Sequence, residues 1–245
     1  RIASQKIAAF EALARWIDPS RGTISPGEFI PVLQHYHQLY KLDLYMLRQV
    51  CREIPVRHAN GLPLLPVSVN FARQDFDHVD VVGKMNEMYE EYELEKYVTR
   101  DFFIVEITEQ DVAEGAEAFR EQLKEIRKNG YQLWLDDFGS GYSSLNTVTD
   151  FNFDVLKLDL VFLKSFDKNP KTASLMTCIV DCAASMGVTA LCEGVEKKEH
   201  FEFLKKIGCV RAQGYYFGKP MPLEESRRFT NEKGIVLERQ PGKGA

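Results

Sequence analysis

Seven short apolar runs, rich in β-branched and aromatic residues, punctuate the chain at Ile7–Phe10, Leu64–Phe71, Phe102–Ile107, Tyr131–Leu135, Phe153–Leu160, Val188–Cys192 and Cys209–Phe217. Each is nearly continuous rather than alternating, the pattern of a strand buried on both faces. Segments of helical period lie between them. Phe119, Leu123 and Ile126 recur at that spacing ahead of Gly130, and Leu175, Met176, Ile179, Val180, Ala183 and Met186 do so ahead of Gly187. Glycine is the residue expected just past a helix end. A further pattern through Leu42, Tyr45, Met46 and Val50 puts helix into the long first connection. Strand alternating with helix predicts an α/β fold, a parallel sheet covered by helices.

The length, 245 residues, suits a (β/α)8 barrel. Such a barrel needs eight strands, and the first candidate begins almost at residue 1, so the expectation is a TIM-like (β/α)8 barrel lacking its first strand in this chain. A doubly wound open sheet competes, but it calls for a glycine-rich phosphate fingerprint, and neither G-x-G-x-x-G nor a P-loop occurs. No break in composition marks a boundary. Residues 1–230 therefore read as one domain and 231–245 as a polar, glycine-containing tail.

Composition narrows the function. Hydrophobic residues at 44% and charged ones at 27% exclude a disordered or collagenous chain. A net charge of −5 without a basic cluster argues against duplex nucleic acid, which demands a basic face, but leaves room for a small, highly charged ligand bridged by cations. The five cysteines, Cys51, Cys178, Cys182, Cys192 and Cys209, are odd in number and match neither a zinc ribbon nor a disulfide framework. They point to a reducing compartment, hence the cytoplasm, although a longer parent protein could still be membrane-anchored. Cys178 and Cys182, four apart, read as buried small hydrophobes on one helix face.

Polar residues collect where the runs end: Glu11, Asn70, Glu106, Asp136 with Asp137, Lys157 with Asp159, Glu193, and Gln213. The steps from Asn70 onward are 36, 30, 21, 36 and 20 residues, one strand–helix unit each. Barrel enzymes build their sites at this end of the strands. So many carboxylates in one mouth could not all stay ionised without cations. The set is oxygen-rich and free of histidine, which indicates Mg²⁺ or Mn²⁺ rather than Zn²⁺. Adjacent acids such as Asp136 and Asp137 suit a binuclear centre, where one carboxylate bridges two ions and its neighbour holds the second. Lys157 either orients a nucleophilic water or balances charge in a salt bridge. The glycine- and serine-rich stretch Phe138–Ser144 could close over the mouth or form an ordinary βα turn. His35-x-His37 reads as a surface pair.

These residues fall in stretches that together resemble the EAL domain family, bacterial phosphodiesterases that linearise cyclic di-GMP. The stretches are EALAR (Glu11–Arg15), VNF (Val69–Phe71), EITE (Glu106–Glu109), DDFGSGYSSL (Asp136–Leu145), LKLD (Leu156–Asp159), EGVE (Glu193–Glu196) and QGYYFGKPMP (Gln213–Pro222). The resemblance implies hydrolysis of one phosphodiester bond of cyclic di-GMP to pGpG, dependent on two ions of Mg²⁺ or Mn²⁺. It implies Glu11, Asn70, Glu106 and Asp136 as ligands of one metal, and Asp136 and Asp137, with Glu193 at or near, for the other. By the same resemblance Lys157 holds the attacking water, Arg15 grips a substrate phosphate, and Asp159, Glu196 and Gln213 line the substrate pocket. Glu109 anchors the loop Asp137–Leu145, which couples dimerisation to metal binding in the family. A homodimer and an upstream sensor or diguanylate cyclase domain are further implied partners. The family's usual Asn-Leu-Ser reads Asn70-Phe71-Ala72 here, which keeps the ligand and loses a hydroxyl. Two alternatives stay open: an inactive EAL-type sensor of cyclic di-GMP, and a barrel glycosidase, which would need neither the Asp pair nor the lysine.

Overall fold

A computed structural model describes residues 1–140, 151–166 and 168–232, with side chains to 229. Its main sheet has seven strands, all parallel, in the order β1 (Phe10–Ala12), β4 (Val67–Asn70), β5 (Phe103–Thr108), β6 (Gln132–Phe138), β7 (Val155–Leu158), β8 (Thr189–Cys192) and β9 (Arg211–Ala212). Order in space follows order in the chain, and the sheet curls as a TIM-like barrel does. Outside it lie α2 (Leu39–Ala59), α3 (Arg73–His78), α4 (Val81–Glu91), α5 (Glu109–Glu114), α6 (Glu117–Lys128), α7 (Val161–Phe166), α8 (Pro170–Ser185), α9 (Lys198–Lys206) and α10 (Leu223–Glu232). The connection after β1 also holds an antiparallel hairpin, β2 (Trp16–Asp18) with β3 (Gly22–Ile24), and the helix α1 (Pro26–His35).

The curl divides each strand into two faces. Val105, Ile107, Leu133, Leu135, Leu156 and Leu158 point outward and pack with helical residues such as Phe76, Leu123, Ile126 and Met176 in one core. Burying such a side chain fully contributes about 1.5–3 kcal/mol. Ile104, Trp134, Val155 and Leu191, with Ala9, form a second, separate core inside the curl. Side chains two residues further along a strand share its face, so Glu11, Glu106, Asp136, Lys157 and Glu193 stand on that inner layer as a polar tier. The fold thus sets a polar ring on an apolar floor by parity alone.

Individual bonds tie the segments that flank the outer strands β1 and β9. Ile2 donates its backbone N–H to Val210 O at 3.0 Å, and Gln213 Nε2 donates to Glu11 Oε2 at 2.6 Å. Outside this seam, the Arg57 guanidinium of α2 lies 5.7 Å from the Phe10 ring centroid, and Glu53, one turn before it, takes a two-pronged ion pair from Arg227 of α10.

Several expectations are corrected. The first strand is Phe10–Ala12 rather than Ile7–Phe10, so Glu11 lies within it, and the last run contributes only Arg211–Ala212 to the sheet. The hairpin β2–β3 went unforeseen, since Trp16 and Ile17 are exposed and three-residue strands carry little periodicity. On α2 the buried face runs through Leu39, Asp43, Leu47, Val50 and Ile54; of the four residues read from the sequence, only Val50 is buried. An acid at Asp43 disguised that face. Leu175 is exposed on α8, and so is Cys178, while Cys182 is half-buried, so this pair is not core packing. All five cysteines are free. No helix among the described residues is long and apolar enough to cross a membrane. Gly141–Leu145 of the glycine-rich loop and most of the expected 231–245 tail lie outside the described residues.

Candidate active site

Lys157, near the end of β7, is 1% exposed and occupies the centre of the polar tier. Its Nζ lies 2.8 Å from Glu106 Oε2, 2.9 Å from Glu193 Oε1, 3.0 Å from Asp136 Oδ1 and 3.8 Å from Glu11 Oε2. Glu11 in turn accepts from Asn70 Nδ2 at 3.2 Å and from Gln213 Nε2 at 2.6 Å. Residues from all seven strands or their immediate ends therefore converge on one mouth.

Asp136 and Asp137 present a geometric problem that β6 solves locally. Consecutive side chains on a strand point to opposite faces. Between Leu135 and Phe138 the register against β7 shifts, and Asp137 takes φ +55°, in the left-handed region. An irregularity of this kind re-aims one side chain. Consequently Asp136, Asp137 and Glu193 each offer a carboxylate oxygen within 4.8 Å of the others. Asp136 Oδ1 also accepts from Asp137 N at 2.9 Å, which holds the turned residue. Gly139 follows with φ +95°, and its N–H donates to Glu109 Oε2 at 3.0 Å. Glu109 opens α5 and is fully buried. A side chain at position 139 would run into the Phe162 ring.

Electrostatics follow from burial. Burial would drive the proton off Lys157, but Glu106, Asp136, Glu11 and Glu193 outweigh it and hold its pKa well above the ordinary lysine value. Burial raises Glu106 to about 8, opposed by Lys157, and raises Glu193 to about 7. Asp137 is pushed up to about 6 by burial, then by Asp136 and Asp159. Glu106 Oε1 is buried without a hydrogen-bond partner among the described residues. An acidic tier with protons held above their usual range and one orphaned carboxylate oxygen suits hard divalent cations bound through oxygen.

The remaining residues singled out lie around this centre. Asp159 sits just past β7, where its Oδ1 accepts from Val161 N at 2.6 Å, and it lies close enough to Asp137 to raise that residue's pKa. Arg15 and Glu196 are exposed, and the Arg15 guanidinium donates to Ala14 O at 2.7 Å. A separate cavity of about 710 Å³ opens at the opposite end of the strands, between Gln132, Val155, Thr189 and Arg211. It contains none of the clustered acids. Sequence reading missed Asp43 and Asp75, buried acids on the helices beside Asn70. The signal was present in Asp43 occupying a core position of α2.

The family model of the EAL domain matches residues 1–220, and the chain belongs to that family. Cyclic di-GMP phosphodiesterase PdeR of Escherichia coli K12 is 33% identical over 224 residues, 91% of this chain and 33% of PdeR. Protein y4lL of Sinorhizobium fredii is 33% identical over 231 residues, 94% of this chain and 27% of that protein. The chain thus spans about a third or less of these curated relatives. Among solved structures, the c-di-GMP complex of PaMucR phosphodiesterase superposes with a TM-score of 0.80 at 28% identity, covering 88% of this chain and 86% of that one. The manganese and cyclic di-GMP complex of Klebsiella pneumoniae BlrP1 gives 0.74 at 27% identity, covering 89% and 53%.

Proposed function

We propose that the chain hydrolyses one phosphodiester bond of cyclic di-GMP to linear pGpG, using two divalent cations, Mg²⁺ or Mn²⁺. The observation that carries this reading is the buried ring of Glu11, Glu106, Asp136 and Glu193 around Lys157 in a chain of the EAL family. Glu11, Asn70, Glu106 and Asp136 would hold one cation, and Asp136, Asp137 and Glu193 the other. Bound there, the cations supply Lewis acidity toward water and the phosphoryl oxygens.

The chain's own residues do the rest. Lys157 has three N–H donors, and Glu106, Asp136 and Glu193 all lie within 3.0 Å of its nitrogen. To hold the attacking water it would have to release one of these carboxylates, leaving an N–H free to donate to the water. Arg15 is exposed and free to swing toward a substrate phosphate, which a guanidinium recognises in two-pronged fashion. Asp159, Glu196 and Gln213 border the space left for the nucleotide, and Glu109 holds the start of the glycine-rich loop at Gly139. The full protein carries further domains, of sensor or cyclase type, acts as a homodimer and works in the cytoplasm, a setting that five free cysteines suit.

The test is incubation of the purified chain with cyclic di-GMP and Mn²⁺ or Mg²⁺, followed by chromatography. Formation of pGpG supports the proposal. Tight binding with no product under either metal would replace the enzyme by a sensor.

A further inference from the structure

Three acids buried among the described residues lie outside the mouth and its loop: Glu53, Asp43 and Asp75. Glu53 is answered by Arg227 and Arg57. Asp43 of α2 and Asp75 of α3 instead face each other, 8% and 0% exposed, and neither forms an ion pair among the described residues. Asp75 Oδ2 accepts from Ala72 N at 2.7 Å, while Oδ1 has no donor among the described residues so long as both groups are ionised. One proton between the two carboxyls supplies that donor and removes the repulsion at once.

The contact bears on the mouth through a short path. Ala72 precedes the first turn of α3 and has no side-chain oxygen to cap it, so Asp75 takes up its N–H from inside the helix. Ala72 is two residues past Asn70. Phe71, between them, donates to Glu106 O at 3.0 Å. The turn that presents Asn70 to Glu11 is thus pinned to β5 at one residue and to Asp75 at the next.

We propose that Asp43 and Asp75 share a single proton, and that this bridge positions Asn70, making Asp43 a positioning residue for a mouth it does not touch. Only the role of Asn70 rests on the metal reading above; the proton does not. Burial, then repulsion from Asp75, raises Asp43 to about 9, and burial raises Asp75 to about 6. Of the other charged groups acting on Asp75, Asp111 of α5 opposes its ionisation and His78 favours it. An unfolded chain has lost both protons by about pH 5. The folded chain keeps the bridging proton up to about 9, so this pair makes stability fall as pH rises through that window and level off above it.

Urea unfolding at about pH 6 and about pH 9 reads the proton. Asp43→Asn offers Asp75 an amide donor that does not titrate. Wild type is expected to lose more stability between the two pH values than Asp43→Asn; equal losses overturn the shared proton. Mn²⁺ affinity reads the positioning. Asp43→Ala removes the donor and is expected to weaken Mn²⁺ binding roughly tenfold, the scale for an outer group that orients a metal ligand, with recovery in Asp43→Asn. Unchanged affinity in Asp43→Ala overturns the positioning role. If wild type binds no Mn²⁺, the reading of the mouth has failed, and hydrogen exchange at the Ala72 amide decides instead. Protection there should drop above about pH 9 in wild type and hold in Asp43→Asn; equal behaviour sinks the bridge, and the comparison stands even if Asp43→Ala does not fold.

Discussion

Glu106 and Lys157 form an ion pair at 2.8 Å in which both partners are 1% exposed. Desolvating two charges costs as much as their attraction returns, so such a pair is weak evidence for stability. Its value here is electrostatic. Lys157 sets one positive charge among Glu11, Glu106, Asp136 and Glu193, which leaves the mouth short of positive charge by more than one unit when all are ionised.

Lys157→Met should therefore expose the deficit. Removing one partner of a buried pair costs about 3–5 kcal/mol. Urea unfolding without metal should show a loss of that size, and added Mn²⁺ should restore more stability to the variant than it adds to wild type. A variant as stable as wild type in metal-free buffer would contradict the electrostatic account.

Asp136→Asn should abolish turnover. Asp136 contacts Lys157 at 3.0 Å and shares the carboxylate cluster with Asp137 and Glu193, so an amide there withdraws charge from both proposed cations. The rate of pGpG formation should fall by roughly 10²-fold or more, the scale for removing one preorganised electrostatic group. Wild-type rate in this variant would mean that the ligand assignment is wrong.

Mn²⁺ binding should strengthen as pH rises from about 6 to about 9, because Glu193 at about 7 and Glu106 at about 8 must give up protons to bind a cation. Without metal the sign reverses. Folded values raised above the unfolded ones mean that the folded chain holds extra protons in this range, and stability contributed by Glu106 and Glu193 is lost as pH rises through about 7 to 8. Calorimetry in buffers of different ionisation enthalpy should detect the released protons; none released would refute the protonated state.

Gly139→Ala should cost about 1–3 kcal/mol, since φ there is +95° and the new methyl meets Phe162. Adding Phe162→Ala should relieve the steric share but leave the backbone share. A double mutant whose losses simply add would show that the two residues do not compete for space.

Much of this was legible in the sequence because a buried parallel strand is an uninterrupted apolar run, and the break in that run marks where the polar tier begins. Glu106, Lys157 and Glu193 stood out for that reason. Asp137 was legible as half of an adjacent acid pair, but its turn was not: side-chain alternation would place it opposite Asp136, and the register shift beside Phe138 brings it round. Nor was the Asp43–Asp75 pairing, since it joins α2 to α3 across 32 residues and inverts the hydrophobic pattern at Asp43. Local period reports what faces a core; it does not report which two acids meet there.

The bond from Gln213 to Glu11 joins side chains 202 residues apart in the chain, and Ile2 to Val210 and Arg227 to Glu53 enclose stretches of similar length. Loop-closure entropy rises with the length of chain enclosed, so the Glu11 corner of the ring is the one whose contacts cost most to bring together.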